Sequence, residues 1–337
     1  NLPDDSPNIG NTSAGALLRT VAIGCETSML AGRTPPENQN LEQYLNDMFD
    51  LNISLDIQNE PRLRNEIRRE FFIATHGLRD TQYSLLRAIS QARELIYIES
   101  PQFARTAIGA VQNPPNNTQV DLVAAIASRL AAVPNLKVIF CTPRLSDFDP
   151  SFTNWARAHY LARKDAVEAL LGVAPDRVAV FHPTGFPGRP AFIRTTSVIV
   201  DDVWSCVGAT HFRRRGMTFD GSVAVASLDR MLEDGYSKKV RDYRRALMGL
   251  KLGIVAPAGV GPVAGNWIRL QRPDSAFALV KDMLDQGGLG AIEPLWPGPA
   301  DTDVLPAVVE AADPDGTQES NFQFMTTLAS ILDQLGR

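Results

Sequence analysis

Between Arg194 and Ser222 the chain spaces polar residues so that a strand, a tight turn and a second strand would gather them at one cleft. Arg194 and Thr196 alternate with Thr195, so on a strand both side chains leave the same face. Arg194 offers a guanidinium, which grips an oxyanion in a fork but neither attacks phosphorus nor gives up its proton usefully. His211 can trade a proton near neutrality. The chemistry open to this set is anion binding by Arg194 and His211, with His211 as a relocated acid. Arg194 is read equally well as ion-paired to Asp201 or Asp220, and His211 as a satisfied polar residue. The run Arg213–Arg215 offers a phosphate patch or, as short basic runs more often do, a solvated or ion-paired turn.

The elements that must position these groups follow from pattern. Val198, Ile199 and Val200, then Asp201-Asp202, then Val203, Trp204, Cys206 and Val207 compose a β-hairpin with an acidic turn. Upstream, Tyr83, Leu86, Ile89 and Ala92 recur at helical spacing and run into the apolar strand Leu95–Glu99. Residues 120–133 read as a helix, 136–142 as a buried strand, 152–171 as a long helix and 177–182 as a strand. Beyond the hairpin, 219–227 reads as a strand and 238–252 as a helix with Val240, Tyr243, Leu247 and Leu250 on its apolar face. This alternation predicts an α/β fold, a mixed or largely parallel sheet covered by helices on both faces.

The stretch from Arg194 to Ser222 resembles, without insertion or deletion, the second signature motif of the phospholipase D superfamily. That motif reads His-x-Lys, four residues, Asp, six residues, Gly-Ser-x-Asn, then Arg-Ser and Asp-x-Glu. Asp201, Gly208, Arg215 and Asp220 match it, and the resemblance makes them frame residues. Arg194 stands for the His, Thr196 for the Lys, Ala209 for the Ser, His211 for the Asn, Gly216 for the second Ser and Ser222 for the Glu. In the family the His is nucleophile or general acid, the Lys holds a phosphate oxygen and the Glu orients the His. The run Ile98-Glu99-Ser100-Pro101-Gln102-Phe103 is similar to the family's Ile-Glu-Ser-Pro-Tyr-Phe, with Gln102 in place of the Tyr. Leu17-Leu18-Arg19-Thr20 and the closing Leu252-Gly253 are similar to family segments too, so the resemblance covers residues 15–254. It implies a phospholipase D-like mixed sheet flanked by helices on both faces.

Members of that family bring two such motifs together, whereas none of the four His residues here opens a His-x-Lys. The first expectation is therefore a catalytically degenerate half, without an intact catalytic residue, kept as a structural or binding component of a larger protein or assembly. The alternative is an active phosphodiesterase on a phospholipid headgroup that relies on an intact motif in a missing N-terminal half. A third reading is a sensor that binds phosphate or a phosphorylated headgroup through Arg194 and nearby amides. The implied partner is that N-terminal half or a second copy of the chain. The start at Asn1, without an initiator Met, reads as truncation.

With 337 residues and 44% hydrophobic content the chain can build one large core domain, or a domain plus an appendage. Residues 1–14 read as an N-terminal loop, 15–254 as the phospholipase D-like domain and 255–337 as a Pro/Gly-rich extension with short helices. The extension's helix candidates are 275–286, 304–312 and 321–335, and Trp296 between prolines leans it toward docking. A net charge of -5 makes nucleic acid an unlikely main partner. The composition is that of a soluble chain, with no run approaching the ~20 apolar residues of a membrane helix. Cys25, Cys141 and Cys206 have no metal-ligand spacing and read as reduced, which leans cytoplasmic. No metal or cofactor is implied. The Gly259-x-Gly261-x-x-Ala264 spacing is dismissed as a dinucleotide loop, since Pro262 lacks an amide donor.

Overall fold

The computed structural model describes residues 13–21, 77–107, 120–146, 152–185, 189–254 and 262–313, with residues 326, 329 and 330. Cys25, residues 259–261 and most of the expected helix 321–335 lie outside the described residues. The strands are β1 (Ser13–Val21), β2 (Leu78–Arg79), β3 (Leu95–Glu99), β4 (Lys137–Cys141), β5 (Val178–Gly185), β6 (Arg189–Pro190), β7 (Thr196–Val200), β8 (Trp204–Gly208) and β9 (Ser222–Asp229). After β10 (Leu232–Glu233) and β11 (Tyr236–Ser237), which pair with each other, comes β12 (Ile292–Pro294). The α-helices are α1 (Asp80–Gln91), α2 (Leu122–Ala132), α3 (Thr153–Leu171), α4 (Arg214–Thr218), α5 (Lys238–Lys251), α6 (Pro262–Arg269), α7 (Pro273–Asp285) and α8 (Pro306–Ala312).

One mixed sheet runs in the order β12-β5-β4-β3-β7-β8-β9-β1-β2, with β6 against β5. Its β3, β4 and β5 are parallel, joined by crossovers through α2 and α3, and the strands from β7 onward are antiparallel. Every residue of β3 and β7 is buried, the pattern of strands covered on both faces. On one face Ile96, Ile98, Val138, Phe140, Val198 and Val200 meet Leu85 and Ile89 of α1, Val123 and Ile126 of α2 and Leu170 of α3. On the other, Tyr97, Ile139, Phe181 and Ile199 meet Met248 of α5 and Phe277, Leu279 and Val280 of α7. The expected α/β class, a mixed sheet flanked by helices on both faces, is the observed one.

Three local expectations differ from the structure. β1 opens at Ser13, inside the expected terminal loop, because its backbone pairs with β9 from Ser13↔Asp229 onward. The strand expected from 219 starts at Ser222, after the short α4 has turned the chain. On α5, Val240 is buried but Leu250 is 75% exposed, while Arg241 and Arg244 are buried. These arginines are taken inward by carboxylates: Arg244 meets Asp202 at 2.6 and 2.7 Å, and Arg241 pairs with Glu233. Hydropathy alone sorts such a helix wrongly, since a paired guanidinium on a long aliphatic stem fills core space.

The segment after 254 packs onto the same sheet. Besides α7, it supplies β12, antiparallel to β5, and Ile292 to the core. Trp296 is half-buried rather than free for docking. Its ring meets Tyr160 edge-on at 5.6 Å, Arg144 lies 5.4 Å above it, and its backbone N–H donates to His182 Nε2 at 2.9 Å. Among the described residues no helix is long and apolar enough to cross a membrane.

Candidate functional site

The motif positions other than Asp201 lie toward the end of the sheet where β3 finishes and β7 begins, and Asp201 sits at the opposite end, in the β7–β8 turn. Residues 201–203 connect β7 to β8, and Asp201 and Asp202 are both in the left-handed region at φ 52° and 53°, as the two central residues of a type I′ turn require, with the Val203 N–H donating to the Val200 carbonyl at 3.0 Å. The Asp201 carboxylate accepts from the backbone N–H groups of Arg93, Glu94 and Leu95 at 2.7–2.9 Å, fixing the entry to β3. Gly208 closes the hairpin against β9, where a Cβ would lie 2.4 Å from Ala224 Cα. Arg215 Nε donates to Asp220 Oδ1 at 2.6 Å, and its guanidinium sits 5.0 Å from the Phe219 ring centre.

The positions that would carry chemistry are arranged differently from expectation. A bend at Thr195 separates Arg194 from Thr196, so the two do not share a strand face: Arg194 is exposed and Thr196 is buried. The Thr196 hydroxyl bonds Ser100 at 3.0 Å, and Ser100 Oγ accepts from the Phe212 N–H at 3.1 Å. That contact belongs to a clasp in which Phe103 and Phe212 bridge and the Phe103 ring lies 4.0 Å from Phe140 and 5.2 Å from Phe212. Ala209 is exposed. Ser222 Oγ bonds Thr210 at 2.7 Å. Gly216 leaves no room for any side chain, since a Cβ would lie 2.2 Å from the His211 carbonyl oxygen.

His211 and Arg194 do meet, at the Arg194 backbone carbonyl, which accepts from the imidazole. Burial, then the charge of Arg213, holds the His211 pKa below the usual histidine range. The run Arg213–Arg215 is the ion-paired turn: Arg213 pairs with Asp220 at 3.6 Å, and Arg214 with Asp313 at 3.5 Å. Glu99 is buried and accepts from the Tyr97 hydroxyl at 2.5 Å, with Lys251 at 3.4 Å. Burial raises the pKa of Glu99, of Tyr97 and of Cys141. These groups face α5, across the sheet from Ser100.

Two residues that matter here went unnoticed in the sequence. His159 on α3 bonds Gln102 through Nδ1 at 2.9 Å and Arg213 through Nε2 at 3.0 Å. Arg163 lies one turn further along, and with Trp155 they form an i, i+4, i+8 stripe that pattern reading could have marked as a polar row on an inward face. Among the described residues no group of three His, Cys, Asp or Glu is placed to hold a metal ion.

No family model matches this sequence, and no curated protein does. Many solved structures are similar to part of it, two of them as follows. One is a phospholipase D family member, Nuc from Salmonella typhimurium, 14% identical, covering 49% of this chain and 82% of its own, with a TM-score of 0.33. The other is NucT from Helicobacter pylori, 15% identical, covering 50% of this chain and 85% of its own, with a TM-score of 0.30. At these scores the likeness is partial, and the functional reading rests on this chain's own residues.

Proposed function

We propose that this chain carries a phospholipase D-like domain that has given up phosphodiester hydrolysis and serves as a structural or binding component of a larger protein or assembly. The observation that carries the reading is the pair at 194 and 196. An exposed arginine outside the strand and a threonine bonded to Ser100 stand where the resembled motif needs an imidazole and an ammonium. A guanidinium does not attack phosphorus, and a threonine bears no charge for a phosphate oxygen. His211 is the remaining proton carrier. Its N–H goes to the Arg194 carbonyl and its lowered pKa keeps it neutral at neutral pH, which makes it a poor acid for a leaving oxygen. The frame residues Asp201, Gly208, Arg215 and Asp220 meanwhile hold tight geometric roles, as a retained scaffold would need.

The test is turnover by the longest natural chain on phosphatidylcholine and on bis(4-nitrophenyl) phosphate. The expected result is no hydrolysis above the buffer rate. Hydrolysis that disappears in His211→Ala would overturn the proposal and make His211 the proton donor of an active phosphodiesterase.

A further inference from the structure

A cavity of about 660 Å³ opens beside the motif residues, between α3, the segment following β3, the segment following β4 and α8. That volume lies within the range of small-molecule sites. Much of its wall is apolar, including Leu145, Ala156, Ala162, Trp296 and Val309. Its polar wall is unbalanced in two independent ways.

The first imbalance is charge. Of the arginines lining the cavity, Arg105 pairs with Asp165, Arg144 with Glu293, Arg157 with Asp301, Arg213 with Asp220 and Arg214 with Asp313. Arg163 is left over. It is only 8% exposed, its Nη atoms donate to the carbonyls of Pro143 at 2.7 Å and Arg144 at 3.0 Å, and among the described residues no carboxylate pairs with it. A buried cation without a counter-charge is costly, and an anion at the cavity wall would offset that cost. In keeping with this, burial lowers the Arg163 pKa to about 10.

The second imbalance is in hydrogen bonds. Arg213 Nη1 can only donate, so His159 Nε2 accepts from it, and the neutral ring carries its proton on Nδ1. That N–H must then donate to the Gln102 amide, whose oxygen therefore faces the ring, the two ends of an amide being told apart only by their partners. The other end of the Gln102 amide is buried without a partner, and by this reasoning it is the NH2. Arg213 Nε is likewise buried without a hydrogen-bond partner. A left-over cation and unanswered donors thus stand in one wall, a combination that calls for acceptor oxygens.

We infer that this cavity binds a small amphiphile with one anionic head, a carboxylate or a phosphate monoester, whose oxygens answer Arg163, Gln102 and Arg213 while its apolar body lies against Leu145, Ala156 and Trp296. The site borders the motif and shares Gln102 and Arg213 with the stretches that resemble it, but it does not depend on whether Arg194, Thr196 and His211 hydrolyse anything.

The experiment is calorimetric titration of the whole chain with octanoate and octyl phosphate, and with octanol and octyltrimethylammonium as neutral and cationic bodies of the same length. One or both anions are expected to bind once per chain, about tenfold or more tighter than octanol or the cation, and the tighter anion identifies the head. Arg163→Met is expected to weaken that binding about tenfold or more. Ala156→Phe, which fills the cavity and leaves every charge in place, is expected to abolish it and decides the matter if Arg163→Met fails to fold. Absence of saturable binding by both anions, equal binding by all four probes, or binding unchanged in Ala156→Phe would overturn the inference.

Discussion

At Gly208 the neighbouring strand comes so close that any side chain would strike the backbone of Ala224 and Val223. Gly208→Ala is expected to lower stability by about 1–3 kcal/mol, read as a shifted urea midpoint. The adjoining turn divides its two acids between different tasks. Asp201 caps the amides that enter β3, whereas Asp202 is fully buried in a two-pronged pair with Arg244. Asp202→Ala, which strands that guanidinium in the core, is expected to cost about 3–5 kcal/mol. The double variant Asp202→Leu with Arg244→Met should recover much of the loss. In a double-mutant cycle built from Asp202→Leu and Arg244→Met, a loss in the double variant equal to the sum of the two single losses would show that the pair is not coupled.

Between elements, His182 acts as a latch. Its Nδ1–H donates to the Thr142 carbonyl at 2.8 Å and its Nε2 accepts from the Trp296 N–H at 2.9 Å, so the neutral ring ties β12's outgoing chain to the end of β4. Burial foremost lowers its pKa to about 4. An unfolded histidine titrates near 6.5, so between these values the folded chain binds fewer protons and stability rises with pH. The contribution is complete above about pH 6.5 and is lost as pH falls toward 4, roughly 3 kcal/mol across the window. The wild-type chain should therefore lose more urea stability between pH 7 and pH 5 than His182→Asn does. Matching losses would mean that the latch does not titrate.

Over the whole molecule, the sheet's second core is shared between distant stretches of chain. Phe277, Leu279, Val280 and Met283 on α7 cover the β3–β4–β5 face together with Met248 and Leu252. Burying each such side chain contributes about 1.5–3 kcal/mol, so losing the four removes roughly 6–12 kcal/mol. That is comparable to the whole stability of a typical domain, about 5–15 kcal/mol. A chain ended at Ile254 is therefore expected to melt without a cooperative transition by circular dichroism. A sharp melt would show instead that residues 13–254 hold their fold without α7.

Read from the sequence alone, the strands, the helices and the acidic hairpin turn come out close to their observed places, because periodicity and turn chemistry are local properties of a few neighbouring residues. Asp201, Gly208, Arg215 and Asp220 could be picked out together for the same reason, because their spacing falls within one continuous stretch of chain. What escaped it depended on partners far along the chain. Arg244 is drawn into the core by Asp202, forty-two positions away, so the hydropathy of α5 pointed Leu250 inward in its place. The bend at Thr195 turns Arg194 outward, and the His159–Arg213 contact spans fifty-four positions. Local pattern determined which segments become strands and helices. Only the tertiary structure decided which charged side chains leave water, because that cost is met by counter-charges and carbonyls which no local window contains.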